Sequence, residues 1–169
     1  AISGLSLGML EASNLECVRG ERRLFAGVSF RLEGGEMLSL QGRNGSGKTS
    51  LLRMLCGLTP PVSGEIRWRG KPIGKLGEEF RSELFYLGHH NAIKEDLTPL
   101  ENVVASTTLA QEALDENAAL DALERVGLRG REDLACRYLS QGQKRRTALA
   151  RLVHERRALW VLDEPYVAL

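Results

Sequence analysis

The start of the chain alternates between apolar and polar residues in short stretches separated by glycine. In residues 24–32, Val28 and Phe30 alternate with polar neighbours, which is the pattern of a strand with one buried face. Residues 15–19 predict another short strand, and the polar turn at residues 20–23 joins the two as a hairpin. The chain is therefore predicted to open with an antiparallel β structure.

A more continuous apolar run follows and then gives way to helical spacing. Residues 37–40 predict a strand buried in a sheet, because a strand covered on both faces needs no polar positions. A glycine-rich loop comes next, and after it apolar residues recur along one side of a predicted helix that Gly57 would end. These apolar residues are Leu51, Leu52, Met54 and Leu55.

Two further strands are predicted beyond that helix. Residues 64–70 alternate apolar and charged positions between glycines, which predicts a strand at a sheet edge. Residues 84–87 predict a strand that delivers His89, His90 and Asn91 to the end of the sheet, where open α/β sheets bind ligands. A metal site at the two histidines is the disfavoured alternative, because their side chains diverge in an extended segment and no third ligand lies nearby.

A mainly helical block is predicted over residues 98–157. Sequences typical of a capping box begin at Thr98 and at Ser140, and each predicts the start of a helix. Between them apolar residues recur at helical spacing as far as Gly127. The final predicted strand, residues 158–162, is fully apolar.

Six basic residues surround the helix that follows Ser140. A solvated helix face is the simpler interpretation, and a contact with an acidic partner surface is the alternative. The six are Lys144, Arg145, Arg146, Arg151, Arg156 and Arg157.

Length, charge and cysteine content narrow the class of protein. A chain of 169 residues is long enough for one domain with a real core. A net charge of +1 gives no overall electrostatic reason to expect nucleic acid or an anionic membrane as partner. Three cysteines without C-x-x-C spacing suggest a reduced, cytosolic protein, and no apolar run approaches the length of a bilayer span. We expect residues 1–8 to be a cloning remnant or a flexible N-terminus.

The glycine-rich loop carries the clearest chemical signal. Residues 42–49 fit the phosphate-loop pattern G-x-x-x-x-G-K-[ST], in which backbone N–H groups and a helix N-terminus surround phosphate oxygens. Lys48 would contact the β- and γ-phosphates, and the Thr49 hydroxyl would bind Mg²⁺. A glycine turn before an ordinary helix is the alternative. The predicted nucleotide contacts are Gly42, Arg43, Asn44, Gly45, Ser46, Gly47, Lys48, Thr49 and Ser50.

Two carboxylates follow the last predicted strand. Asp163 is expected to hold Mg²⁺ through water, and Glu164 to polarise an attacking water. Two acidic residues that merely open a loop are the alternative, which the upstream phosphate loop makes less favourable.

Together with the sequence Leu-Ser-Gln-Gly-Gln at residues 139–143, these motifs resemble the ATPase domain of ATP-binding cassette (ABC) transporters. The resemblance implies an α/β P-loop NTPase fold: a mixed sheet around the phosphate-loop helix, an antiparallel β subdomain and an inserted helical subdomain. It implies ATP and Mg²⁺ as cofactors and a homodimer in the ATP-bound state. In that dimer Ser140, Gly142 and Gln143 would contact the nucleotide held by the opposite subunit. It also implies a domain over residues 9–169, with the helical subdomain at about 90–157.

Within this family, residues 86–102 resemble the subunit that energises haem export in bacterial cytochrome c biogenesis. That resemblance implies integral membrane permease subunits as partners and a peripheral position at the cytoplasmic face of the inner membrane. His89 stands where the family usually carries a glutamine that senses Mg²⁺ or water. Arg19 lies near the place of an aromatic residue that stacks on adenine, and its planar guanidinium can also stack.

The end of the chain departs from the family pattern. Residue 169 falls one position before the family's dimer-interface aspartate, so we expect part of the fold to be missing and turnover by this stretch to be low. A soluble ABC-type ATPase acting on ribosomes or DNA is the second hypothesis. Such proteins usually show two cassettes, a zinc hook or strongly basic arms, which this sequence lacks.

Overall fold

A computed structural model describes residues 8–88, 92–109 and 114–163. The chain divides into two compact units, Ala1–Leu84 and Phe85–Leu169.

The first unit is built on an antiparallel hairpin. Strand β1 (Gly8–Arg19) pairs with β2 (Arg22–Glu33), and the connecting turn places Gly20 at φ 63°, a conformation that favours glycine. Strands β3 (Ser63–Trp68) and β4 (Lys71–Pro72) complete a sheet of order β2-β1-β3-β4. The hairpin prediction is confirmed. The predicted edge strand β3 is instead flanked on both sides, because the short β4 pairs with its last residues.

Strand β1 starts earlier than predicted, and an irregularity at Asn14 explains why the sequence pattern did not reveal its first half. Leu10 and Ala12 are buried before it, and Leu15 and Cys17 after it, so the buried positions change from even to odd. The register shifts between Ala12 and Leu15, where Asn14 adopts φ 50°. Such a bulge returns apolar side chains to the same face of the sheet after one extra residue.

The helix after the glycine-rich loop is α1 (Lys48–Leu55), in which Leu51, Met54 and Leu55 are buried as predicted, whereas Leu52 is half-buried. It ends where Gly57 takes φ 70° and donates its N–H to the Met54 carbonyl. Two short helices, α2 (Ile73–Leu76) and α3 (Glu78–Ser82), follow β4.

The strand predicted at residues 37–40 is wrong for this structure. This segment has no regular secondary structure, and Met37 is 86% exposed and Leu38 42% exposed. The four strands of the first unit pair in the order β2-β1-β3-β4, and none of them pairs with residues 37–40. An apolar run becomes a strand only where a neighbouring strand takes up its backbone hydrogen bonds.

The second unit packs three helices and a pair of strands. Strands β5 (Leu84–Leu87) and β6 (Leu159–Leu162) form a two-stranded sheet. The Asp163 N–H donates to the Leu87 carbonyl at 2.8 Å, so the carboxyl ends of the two strands meet. Trp160 is 45% exposed and donates its indole N–H to the Arg157 carbonyl, whereas Leu159 and Val161, on the opposite face of β6, are buried.

The helices are α4 (Pro99–Leu109), α5 (Glu116–Arg125) and α6 (Gln141–Ala150). Both predicted capping boxes are formed, at Thr98 and at Ser140. Helix α6 ends at Ala150, earlier than predicted, and turns follow it. Ala150 packs in a cluster with residues of α4 and α5, whereas Ala148 packs with Phe85 and Leu87 of β5. Helix α6 therefore lies between the other helices and the strands.

The three cysteines of the chain are free thiols, and Cys17, Cys56 and Cys136 are all buried. Burial raises the pKa of Cys56 to about 12, against a smaller opposing effect of the Arg53 charge. Burial also raises the pKa of Cys136. Cys56 and Cys136 therefore stay protonated at neutral pH, and burial screens all three thiols from reagents.

We therefore expect no cysteine of the folded chain to react quickly with a thiol reagent at pH 8, and all three to react in denaturant. Ala26→Cys, at an exposed position of β2, is the matched control and should react at once in the folded protein. Rapid labelling of Cys56 in the native chain would contradict the packing of α1.

Candidate functional site

The glycine-rich loop leads directly into helix α1. Ser46 donates its N–H to the Arg43 carbonyl at 3.1 Å, which closes a tight turn. Gly45 and Gly47 have φ angles of 81° and 102°, which L side chains rarely adopt. Leu51 then donates its N–H to the Gly47 carbonyl at 2.8 Å, which is the first hydrogen bond of helix α1. The motif thus forms a curved loop that ends at a helix N-terminus.

Two glycines of this loop have no room for a side chain. A Cβ on Gly42 would lie 2.7 Å from the Ser46 Oγ, and a Cβ on Gly47 would lie 2.9 Å from the Phe25 ring. Gly47 is also the N-cap of α1, with no side-chain cap. The first N–H groups of a helix lack carbonyl partners within it, so this terminus suits an anion. The loop therefore fits the phosphate groups of a nucleotide.

Lys48 adds a positive charge to the loop. Its Nζ donates to the carbonyls of Gly42 at 2.6 Å and Arg43 at 3.0 Å, so the ammonium group is held against the loop backbone. Thr49 follows it in the first turn of α1 and is exposed. A lysine and a hydroxyl at these positions suit a phosphate and a Mg²⁺ ion respectively.

Arg19 lies at the same end of the hairpin as the loop. Phe25, whose ring contacts the Gly47 position, pairs with Cys17, two residues before Arg19. Arg19 is the last residue of β1 and is exposed. This placement suits a residue that covers the base of a nucleotide whose phosphates lie in the loop.

In the second unit, α6 begins with a complete capping box. The Ser140 Oγ accepts the Gln143 N–H at 3.2 Å, and the Gln143 Oε1 accepts the Ser140 N–H at 2.9 Å. The cap uses the Ser140 oxygen as an acceptor and does not use its hydroxyl hydrogen. Ser140 is exposed, and Gly142 is half-buried in the first turn. This helix start can also present donors to an anion.

Asp163 follows β6 and is 3% exposed. The Nη2 of Arg145 donates to its backbone carbonyl at 2.6 Å, and the Nη1 donates to the Gly88 carbonyl at 3.0 Å. His89 and Glu164 lie outside the described residues. Each directly follows a residue that Arg145 contacts.

The solvated-face interpretation of the basic residues is wrong for Lys144 and Arg145, which are 8% and 4% exposed. The Lys144 Nζ donates to the Glu95 Oε1 at 2.5 Å. Sequence reasoning missed both contacts because charged residues on a helix usually face water. One signal was present, since Arg145 shares a helix face with Ala148, Leu149 and Leu152, all predicted to be buried.

No group of three or more His, Cys, Asp or Glu residues within the described ranges is arranged to hold a metal ion. Among those same residues, no helix is both long and apolar enough to cross a membrane.

The curved loop that ends at the N-terminus of α1 is typical of P-loop nucleotide-binding proteins. Comparison with known proteins narrows the class, because residues 25–167 match the family model described as ABC transporter. The chain belongs to the ABC transporter family, with the ABC-type ATPase fold, which confirms the resemblance seen in the sequence.

Relatives of known name are close in sequence. The chain is 73% identical over 161 residues to the cytochrome c biogenesis ATP-binding export protein CcmA of Dechloromonas aromatica, covering 95% of this chain and 79% of that protein. It is 56% identical to the protein of the same name from Nitrosomonas europaea, covering 95% and 76% of the two chains. Among solved structures, a putative ABC transporter ATP-binding protein from Pyrococcus furiosus aligns with a TM-score of 0.84 at 29% identity, over 95% and 77% of the two chains.

The ion pair between Glu95 and Lys144 gives a pH-dependent contribution to stability. The hydrogen bond and charge of Lys144 lower the pKa of the Glu95 carboxyl, so the folded state favours its ionised form. This stabilisation is present above the ordinary carboxyl pKa and is lost as the pH falls through the lowered value.

We expect Glu95→Gln to lower the Tm modestly at pH 7, and the difference from the unmutated chain to shrink to nothing on acidification below the lowered pKa. Thermal melts across the acidic range measure it. Glu21→Gln, in the exposed hairpin turn, should show no such pH-dependent difference. A constant difference at every pH would contradict the ion-pair explanation.

Proposed function

We propose that this chain is the ATP-binding and ATP-hydrolysing subunit of an ABC exporter that moves haem for bacterial cytochrome c maturation. The observation that supports this most directly is the phosphate loop, which curves into the N-terminus of α1 and holds the Lys48 ammonium group against its backbone. The names of the relatives, cytochrome c biogenesis ATP-binding export proteins, support the export function over the alternative of a ribosome- or DNA-acting ATPase.

The residues of the loop would bind and orient the triphosphate. The backbone N–H groups at residues 42–50 and the Lys48 ammonium would neutralise the β- and γ-phosphates, and Arg19 would stack on the base. Stacking tolerates any base, so Arg19 in place of an aromatic residue favours weak discrimination among nucleotides.

The carboxylates after β6 would serve the reaction itself. Asp163 and the Thr49 hydroxyl are each proposed as Mg²⁺ ligands, and oxygen ligands are the kind that this ion prefers. When bound, Mg²⁺ neutralises charge on the phosphate oxygens. Glu164 would orient and polarise the attacking water, and His89 would take the place of the family's glutamine beside it.

The signature helix α6 would complete the site of a second subunit. Ser140, Gly142 and Gln143 would donate to the γ-phosphate bound by the opposite protomer, so that ATP joins a homodimer. We propose membrane permease subunits as the further partners and a peripheral position at the cytoplasmic face of the inner membrane. We expect no nucleic acid partner, because a net charge of +1 gives no electrostatic reason for one. Low turnover by residues 1–169 on their own stays a prediction, which a phosphate-release assay checks.

The first test removes the loop cation. We expect Lys48→Ala to weaken MgATP binding by about tenfold to a hundredfold, because a charge-assisted contact with phosphate contributes roughly 1.5 to 3 kcal/mol. Calorimetric titration measures the change. Lys75→Ala, which removes an equal charge from an exposed position of α2, should bind as the unmutated chain does. Equal affinity of a folded Lys48→Ala variant would exclude the phosphate-loop assignment.

The second test addresses the dimer. We expect Glu164→Gln to accumulate an ATP-bound dimer, because the water is no longer polarised while the contacts from Ser140 and Gly142 persist. Sedimentation velocity with saturating MgATP measures it, and adding Ser140→Ala should shift the population back toward monomer. A purely monomeric Glu164→Gln variant that binds ATP would argue against contacts across subunits.

A further inference from the structure

One guanidinium group joins the carboxyl ends of both strands in the second unit. Arg145 donates from Nη1 to the Gly88 carbonyl, directly after β5, and from Nη2 to the Asp163 carbonyl, directly after β6. The distances are 3.0 and 2.6 Å, and Arg145 is 4% exposed. The Asp163 N–H donates to Leu87 at 2.8 Å, which closes the arrangement.

The chemistry of this contact favours arginine over any other cation. A buried charge is tolerated only where hydrogen bonds compensate it, and here main-chain carbonyls accept them. The planar guanidinium presents donors in a fixed fork, so it can hold two acceptors at a set separation. A lysine ammonium is a single flexible point charge and would not fix both carbonyls in the same way.

The contact ties the strand ends to the signature helix. Arg145 lies on α6, the helix that starts at the Ser140 cap. In the same helix, Ala148 packs against Phe85 and Leu87 of β5. Lys144 forms an ion pair with Glu95, which follows β5 in the sequence. Helix α6 therefore contacts the chain at Gly88, at Glu95 and at the main chain of Asp163.

We propose that Arg145 is a positioning residue that fixes the Asp163 main chain to the signature helix and thereby orients the Asp163 carboxylate for Mg²⁺. This inference rests on the proposed function, because it assigns to Asp163 a role in MgATP binding. It adds that the Mg²⁺-dependent part of nucleotide affinity depends on a residue that touches neither the nucleotide nor the ion.

The test compares nucleotide affinity with and without Mg²⁺. A fluorescent ATP analogue is titrated into the 169-residue chain carrying Arg145→Lys or Arg145→Gln, in Mg²⁺ and in EDTA. We expect about a tenfold loss of affinity in Mg²⁺, the scale of one charge-assisted hydrogen bond, and less than about a twofold change in EDTA. Arg146→Lys is the matched control, because the neighbouring Arg146 donates to the Gly127 carbonyl instead, and it should bind normally in both conditions.

A second measurement follows the same contact without nucleotide. Amide hydrogen exchange at Asp163 should be faster in Arg145→Lys, because the hydrogen bond from the Asp163 N–H to the Leu87 carbonyl is weakened when Arg145 no longer anchors the Asp163 carbonyl. Exchange there should be unchanged in Arg146→Lys.

The outcomes separate this inference from the proposed function. Equal affinity of the unmutated chain and Arg145→Lys in Mg²⁺, or an equal loss with and without Mg²⁺, overturns the positioning role while leaving nucleotide binding in place. Failure of both Arg145 variants to fold overturns it as well, since Arg145 would then be a stability residue. An unmutated chain that binds no nucleotide under either condition overturns the proposed function and this inference together.

Discussion

The close approach of the glycine loop to the hairpin is the constraint on which the first unit depends. Gly47 lies so near Phe25 and Leu24 that a single added carbon would overlap the ring. The same residue adopts φ 102° and begins α1 without a side-chain cap. One position therefore satisfies three requirements at once: tight packing, a left-handed backbone and an open helix terminus. Only glycine meets all three, so the local fold and the anion site share one cause.

The second unit depends on a helix whose polar residues point inward. Helix α6 uses small side chains, Ala148 and Ala150, to approach a different cluster on each side. Its charged residues Lys144 and Arg145 are buried as well, each against a specific acceptor. Breaking such a buried contact is costly, because it leaves a charge without compensation. The helix is thereby fixed in one register relative to the strands of its unit.

Local rules account for what the sequence could predict. The phosphate loop and the boxes at Thr98 and Ser140 follow from residues only a few positions apart, so their geometry is written in a short stretch of chain. The hairpin follows from the alternation of Val28, Phe30 and Leu32 with polar residues in the second half of β2. The early half of β1 was missed because the bulge at Asn14 interrupts that alternation. The ABC family itself was recognisable because three such local motifs occur in a fixed order.

Features that depend on distant partners were beyond sequence reasoning. Residues 37–40 have the composition of a buried strand, but composition does not say which strand will pair with them. Two acceptors of Arg145 are the main-chain carbonyls of Gly88 and Asp163, and because every residue carries a carbonyl, the sequence does not reveal these contacts. The helix face that Arg145 shares with Ala148 could have indicated that Arg145 is buried, but not which groups its guanidinium contacts.

The two tryptophans of the chain give each unit its own optical reporter. Trp68 is 2% exposed and meets Phe80 edge-on at 5.8 Å, whereas Trp160, in β6, is 45% exposed. Indole emission shifts to longer wavelength with exposure to water, so Trp68 and Trp160 should emit at separable wavelengths in the folded chain. A chain with one of them replaced by phenylalanine would report the melting of a single unit, and comparing the two would reveal whether the halves unfold as one cooperative system or independently.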